Sequence, residues 1–120
     1  MHLEQHQHGD VVVVTLTGRL TSENVDLLRD KLASLIFQGE THIVLDLAGV
    51  RYIDSAGLGA LIGAASNAER HGARVVLANA TGRTRDLLVL TKLLTVFDTY
   101  PGVAEAEASF DGNLVPVGAR

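Results

Sequence analysis

The residues with the most chemical content stand together in Asp46-Leu47-Ala48-Gly49-Val50-Arg51-Tyr52-Ile53-Asp54-Ser55-Ala56-Gly57-Leu58-Gly59, where an apolar run passes through a turn into a helical pattern. Ser55 therefore lies at or beside a helix N-terminus, where free backbone N–H groups and the helix dipole favour an anion. A hydroxyl there caps the helix, receives an anionic group, or does both. It is not placed as a hydrolase nucleophile, because Ile53-Asp54-Ser55-Ala56-Gly57 lacks the Gly-x-Ser-x-Gly elbow. Asp54 has two readings of equal weight: cap or loop tie, and contact with a partner. Gly57, Gly59 and Gly63 do not form a nucleotide-binding turn, since the last interval is wrong and no lysine stands where a phosphate-cradling loop needs one. His2, Glu4, His6 and His8 share one face of a strand by two-residue periodicity, formally a set of metal ligands. With nothing else in the chain supporting a metal, they read as the solvated face of an edge strand and no metal site is assigned. Arg83, Arg85 and Lys92 give another helix a basic side that Asp86 partly offsets, for which solvation is the plain reading and a docking site for an acidic kinase surface the alternative.

These residues need elements to hold them. Val11 to Leu16 is a β-branched run, and Gly9-Asp10 before it is a turn that joins it to a polar strand over His2 to His8. Thr21-Ser22-Glu23 supplies a capping residue and first-turn acid for a helix carrying Val25, Leu28, Leu32, Leu35 and Ile36, closed by Gly39 at C′. Ile43 to Leu47 is short and nearly all apolar, as expected of a strand buried on both faces of a parallel sheet. Leu58 to His71 is helical and stops at Gly72, Arg74 to Ala78 is a strand, and Arg83 to Thr91 is a further helix. Val96-Phe97 reads as a short last strand, and Pro101 suits the first turn of a helix running to about Phe110. The alternation predicts one α/β domain over residues 1–110, with a mixed, mostly parallel sheet, an N-terminal antiparallel hairpin and about four packed helices. Residues 111–120, with Gly, Asn and Pro, read as a flexible tail.

On a helical projection of 58–71, Leu58, Leu61, Ile62, Ala65 and Ala68 form the core face. Ala56, Ala60, Gly63, Ala64 and Asn67 lie opposite, a smooth surface of small residues that admits a partner helix closely. The competing reading is that a neighbouring helix of the same domain covers it.

Asp54-Ser55-Ala56-Gly57-Leu58-Gly59, after a buried strand that ends in an acid and a short loop, resembles the hallmark of the STAS family (sulphate transporter and anti-sigma antagonist). The resemblance covers residues 10 to 105 and includes the Gly18-Arg19-Leu20 turn. It implies an anti-sigma factor antagonist that catalyses nothing itself. In such a cycle an anti-sigma factor with serine-kinase activity phosphorylates the motif serine, here Ser55, and stops binding it. A metal-dependent PP2C-type phosphatase restores the binding form. Taken together, the motif turn and the small-residue face make Asp54, Ser55, Ala56, Gly57, Gly59, Ala60, Gly63 and Asn67 the expected partner surface. Two other roles of STAS domains stand as alternatives: a subunit docked on an ABC-type lipid transporter, and a scaffold subunit of a larger signalling assembly.

Composition narrows the classes further. The 120 residues are 47% hydrophobic with no Trp, three Phe and two Tyr, so one aliphatic core is expected. A formal net charge of −4 argues against direct nucleic-acid binding. The absence of cysteine excludes a disulfide framework and a thiolate nucleophile, and no cofactor is called for. The polar start MHLEQHQHGD and the lack of any long apolar run argue for the cytoplasm, without membrane insertion.

Overall fold

The computed structural model describes residues 1–90 and 97–111. Its elements are β1 (His2–His8), β2 (Val11–Leu20), α1 (Val25–Phe37), β3 (His42–Ile53), α2 (Ser55–Arg70), β4 (Arg74–Ala78), α3 (Gly82–Leu90), β5 (Thr99–Tyr100) and α4 (Val103–Ala108), which runs into a 3₁₀ turn at Ser109–Asp111. The five strands lie in the order β1-β2-β3-β4-β5, with β1 antiparallel to β2 and the others parallel. This is the mixed α/β sheet with an opening hairpin that the alternation predicts. Gly9, with φ 61°, takes the first position of the two-residue turn between His8 and Val11.

Strands that follow one another across the sheet with crossovers of one hand put the connecting helices on the same face. Accordingly Leu28, Leu32 and Leu35 of α1, Ala60, Leu61 and Ala68 of α2 and Leu88 of α3 share one core with Val12, Val14, Leu45 and Leu77. The other face carries Val11, Val13, Val44, Val76 and Ala78, covered by Tyr100 and by Ala106 of α4. Phe110 pins the end of that helix by stacking on His42 at 4.5 Å between ring centroids. Gly39 and Gly72 sit at C′ of α1 and α2 with φ 91° and 73°. There the chain reverses as Glu40 N–H donates to Leu35 O and Ala73 N–H to Ala68 O, at 3.0 and 2.8 Å.

Several expectations are corrected. β2 and β3 run on to Leu20 and Ile53, beyond the expected ends at Leu16 and Leu47. Register shifts between Thr15 and Thr17 and again between Gly18 and Arg19 place extra β3 residues in the ladder. Leu47, Val50 and Ile53, three apart, thus share one face, which two-residue alternation cannot reveal. α1 starts after Asn24 and not on a Thr21 or Ser22 cap: Asn24 Oδ1 accepts from Thr21 N–H at 2.9 Å and its Nδ2 donates to Arg19 O at 2.6 Å, fastening the β2–α1 turn. α2 begins at Ser55, three residues before the expected Leu58, because Asp54 supplies its cap. The last strand is Thr99–Tyr100, with Phe97 buried in a bend before it; Val96 lies outside the described residues, as do Thr91, Lys92 and 112–120. Pro101 precedes α4, whose N-cap is Gly102. Among the described residues no helix is long and apolar enough to cross a membrane.

Leu61 is fully buried whereas Ile62, expected in the core, is 39% exposed. Leu61→Ala should therefore cost about 2–5 kcal/mol of stability, and Ile62→Ala about 1 kcal/mol or less. Urea unfolding of the two variants checks this orientation of α2, and equal losses would contradict it.

Candidate functional site

The turn from β3 into α2 is held by main-chain geometry. Asp54 is extended, with φ −95° and ψ −176°, and its carboxylate accepts from Gly57 N–H through Oδ1 at 2.8 Å. Oδ2 accepts from Ser22 N–H at 3.1 Å, tying the turn to the loop after β2. Asp54 N–H donates to Leu20 O at 3.1 Å, and Asp54 O accepts the first helical bond from Leu58 N–H at 2.9 Å. The cap and the loop tie, one of the two readings of Asp54, are thus both made by this side chain. The N–H of Gly57 lowers the Asp54 pKa most; partial burial opposes this, and the N–H groups of Ser22 and Ala56 and the charge of Arg19 lower it further. Arg19 itself lies over the Tyr52 ring, 4.4 Å from its centroid, the two residues facing each other in the β2–β3 register.

Ser55 is the first residue of α2 and is exposed. Since Asp54 caps the helix, the Ser55 hydroxyl is not required for capping. Gly57 is buried for a steric reason: a Cβ there would stand 2.4 Å from Leu20 O and 2.8 Å from Ile53 Cγ2, so only hydrogen lets the helix start this close to the strand end. Gly59 and Gly63 are exposed, with open space where a Cβ would stand.

The expected partner surface divides in two. Ala60 is only 2% exposed, and Ala64 and Asn67 are half-buried, with α1 alongside them; Ala56 is half-buried as well. Leu32 and Ala33 of α1 line a shallow groove with Ala60, Gly63, Ala64 and Asn67, flanked by Arg29 and Arg70. The neighbouring-helix reading therefore holds for Ala60, whose expected exposure is corrected, and Gly57 is likewise internal. The open face of α2 is instead Ser55, Gly59, Ile62, Gly63 and Ser66, all exposed and uncharged, at i, i+4, i+7, i+8 and i+11. The projection sets Ile62 on the core face and does not single out Ser66, because a helix so rich in Ala and Gly has only a weak apolar face to orient it.

The remaining candidates lie away from this turn. On β1, Glu4 stands 3.3 Å from His2 Nε2 and 3.6 Å from His6 Nε2, while His8 Nδ1 meets Glu107 of α4 at 2.8 Å. Among the described residues no group of three His, Cys, Asp or Glu side chains is arranged to hold a metal. Arg85 is half-buried and Asp86 exposed on α3, whereas the Arg83 side chain and Lys92 lie outside the described residues. Asp86 and Leu87 line an apolar cleft against Arg51, Tyr52 and Ile53, just before the Asp54 turn.

Two contrasts check this geometry. Gly57→Ala should destabilise by roughly 1–3 kcal/mol through overpacking, whereas Gly59→Ala should stabilise by up to about 1 kcal/mol through helix propensity; thermal melts decide both signs. Folding lowers the Asp54 pKa from its ordinary 3.8, so the ionised cap adds stability that is complete above that value and is lost as pH falls through the lower folded value. Asp54→Ala should accordingly melt below the parent at pH 7, with the gap closing in acid below about pH 4.

Comparison with known proteins supplies independent findings. A family profile described as the STAS domain matches residues 2–106. An anti-sigma F factor antagonist of Lysinibacillus sphaericus is 32% identical over 85 residues, covering 70% of this chain and 73% of that protein. The solved structure of the anti-sigma factor antagonist SpoIIAA in its unphosphorylated form is similar in fold, with TM-score 0.71, 22% identity and coverage of 94% and 100% of the two chains. The phosphorylated form of the Bacillus cell fate determinant SpoIIAA aligns with TM-score 0.67, 24% identity and coverage of 92% and 98%.

Proposed function

The chain belongs to the STAS domain family, and from that premise we propose that it is a cytoplasmic anti-sigma factor antagonist, a binding protein and not an enzyme, switched by phosphorylation of Ser55. The unmodified form binds an anti-sigma factor with serine-kinase activity and so releases a sigma factor. Phosphorylation ends the binding, and a PP2C-type phosphatase reverses it. The observation that carries this reading is the division of labour at the turn: Asp54 makes the cap, and Ser55 stands exposed beside it at the head of an uncharged helix stripe.

The physical consequence is a local switch. A kinase reaches the exposed hydroxyl, and the phosphate occupies a helix N-terminus, where negative charge is tolerated by the fold. The same group adds about −1.5 to −2 charges at the edge of a contact built from Gly59, Ile62 and Gly63, where a bound partner would have to desolvate it. That SpoIIAA, of the same fold, has been solved in unphosphorylated and phosphorylated forms agrees with a fold that persists through the modification. Asp54, Ser55, Gly59, Gly63 and the edge residues Ala56 and Asn67 make the partner surface, with Ile62 its aliphatic contact; Gly57 and Ala60 support it from within.

Incubation of the chain with its kinase and ATP should add one phosphate, at Ser55 by mass spectrometry. Ser55→Ala should block that addition yet bind the kinase like the parent. Ser55→Asp should remain folded and bind about a hundredfold more weakly, some 2–3 kcal/mol, as befits charge inside a desolvated contact. Gly63→Arg, into open space, should weaken binding with little change in melting temperature. Phosphate at another residue, or undiminished binding of the phospho-form, would refute the mechanism.

A further inference from the structure

We infer that β1 is a self-pairing edge, through which two copies of this chain join antiparallel into one continuous ten-stranded sheet. β1 is the outermost strand of the sheet order, seven residues long and paired on one side with β2 over its whole length without a register shift. Edge strands usually carry a device against such pairing: a lysine, a proline, a bulge or brevity. His2-Leu3-Glu4-Gln5-His6-Gln7-His8 is long and has no lysine, proline or bulge of its own; its single acid is Glu4, and Lys31 of α1 donates to Gln5 Oε1 at 3.1 Å.

The register states which backbone groups are free. His8 and Val11 flank a two-residue turn, so they form a hydrogen-bonded pair, and alternation makes His6, Glu4 and His2 bond inward to β2 as well. Leu3, Gln5 and Gln7 therefore turn their N–H and C=O groups outward. A second copy running antiparallel must set these outward residues against each other. With Gln5 opposite Gln5 of the second copy, all seven positions pair, and each Glu4 stands opposite His6 of the second copy, once on either side of the twofold axis. Sliding by two residues one way sets Glu4 against Glu4; sliding the other way sets His6 against His6 and leaves His2 and Leu3 unpaired. The Gln5–Gln5 register is therefore favoured: it alone pairs all seven positions and sets each Glu4 opposite an imidazole, with His2 opposite His8, whereas one slide brings two carboxylates together and the other gives up two pairs at each end. Glu4 already sits among imidazoles on its own strand, 3.3 and 3.6 Å from His2 and His6, and the second copy surrounds it with more of them. The contact is isologous, as a twofold dimer requires. It also leaves Ser55 unobstructed, because that residue lies on α2, between the connections of β3 and β4.

Because the contact is a single strand pair, association should be weak. In sedimentation equilibrium of the full chain, the average mass should rise from 12.7 kDa toward twice that value between about 10 μM and about 1 mM, as for a dissociation constant of about 0.1 mM. Gln5→Pro removes an outward N–H and no bond to β2, so it should fold and remain monomeric throughout. Glu4→Lys, which leaves the backbone untouched, should also weaken the dimer, and adding His6→Glu should restore it by exchanging the charges. A parent chain that stays monomeric up to about 1 mM, a dimer that survives either single substitution, or a loss in Glu4→Lys that the double variant does not recover overturns the inference. These outcomes do not depend on whether Ser55 is phosphorylated.

Discussion

The approach of α2 to the end of β2 is the contact from which the site follows. Gly57 passes so close to Leu20 O that a methyl group could not enter, and the same carbonyl accepts the N–H of Asp54. With the helix start seated there, the Asp54 carboxylate reaches both Gly57 N–H and Ser22 N–H, and the turn is closed from three sides by backbone groups. Ser55 is what remains outside that closure. As the first residue of α2 it is exposed beside the buried Gly57, and the two residues do not share a role.

The sequential order of the sheet has a second effect on the same helix. Because α1, α2 and α3 lie on one face, α2 is flanked, and α1 occupies the side where Ala60 and Ala64 stand. Small residues there let two helices of one domain pack closely, and they leave the stripe from Ser55 to Ser66 as the uncharged part of the free surface of α2. The opposite face of the sheet is covered by the short α4, anchored by Ala106 and by Phe110 on His42.

How much of this could be read in the sequence depended on how local the signal was. Runs such as Ile43 to Leu47 and Val75 to Ala78 announce buried strands because both faces are apolar, and Gly39 and Gly72 mark helix ends through positive φ. The Asp54-Ser55-Ala56-Gly57 segment was legible as a helix start because capping is a matter of a few consecutive residues. What failed was long-range. The bulges of β3 depend on the register against β2, and they carry Leu47, Val50 and Ile53 to one face with a spacing no single-strand rule anticipates. β5 is two residues long, too short to carry any periodicity. Ala60 and Ile62 exchanged their expected places because a helix rich in Ala and Gly has a weak apolar face, and its orientation was set by the fit of Gly57 on Leu20 and by α1.

The electrostatics of the turn explain why an added phosphate is a large change there. A helix N-terminus carries the equivalent of about half a positive charge. Asp54, with its lowered pKa, is ionised at neutral pH and already uses that field, with Arg19 contributing to the balance. The unmodified turn is therefore close to compensated, and the stripe beyond it, through Gly59, Ile62 and Gly63, holds no charge. A phosphate of about −1.5 to −2 charges next to Asp54 exceeds anything the remaining dipole or one arginine offsets. On the proposed switch the fold would be spared, because a phosphate on the exposed Ser55 would lie in solvent and the cap belongs to another residue. A partner whose contact covered Ser55 would not be spared, since it would have to bury an uncompensated dianion together with the Asp54 carboxylate beside it.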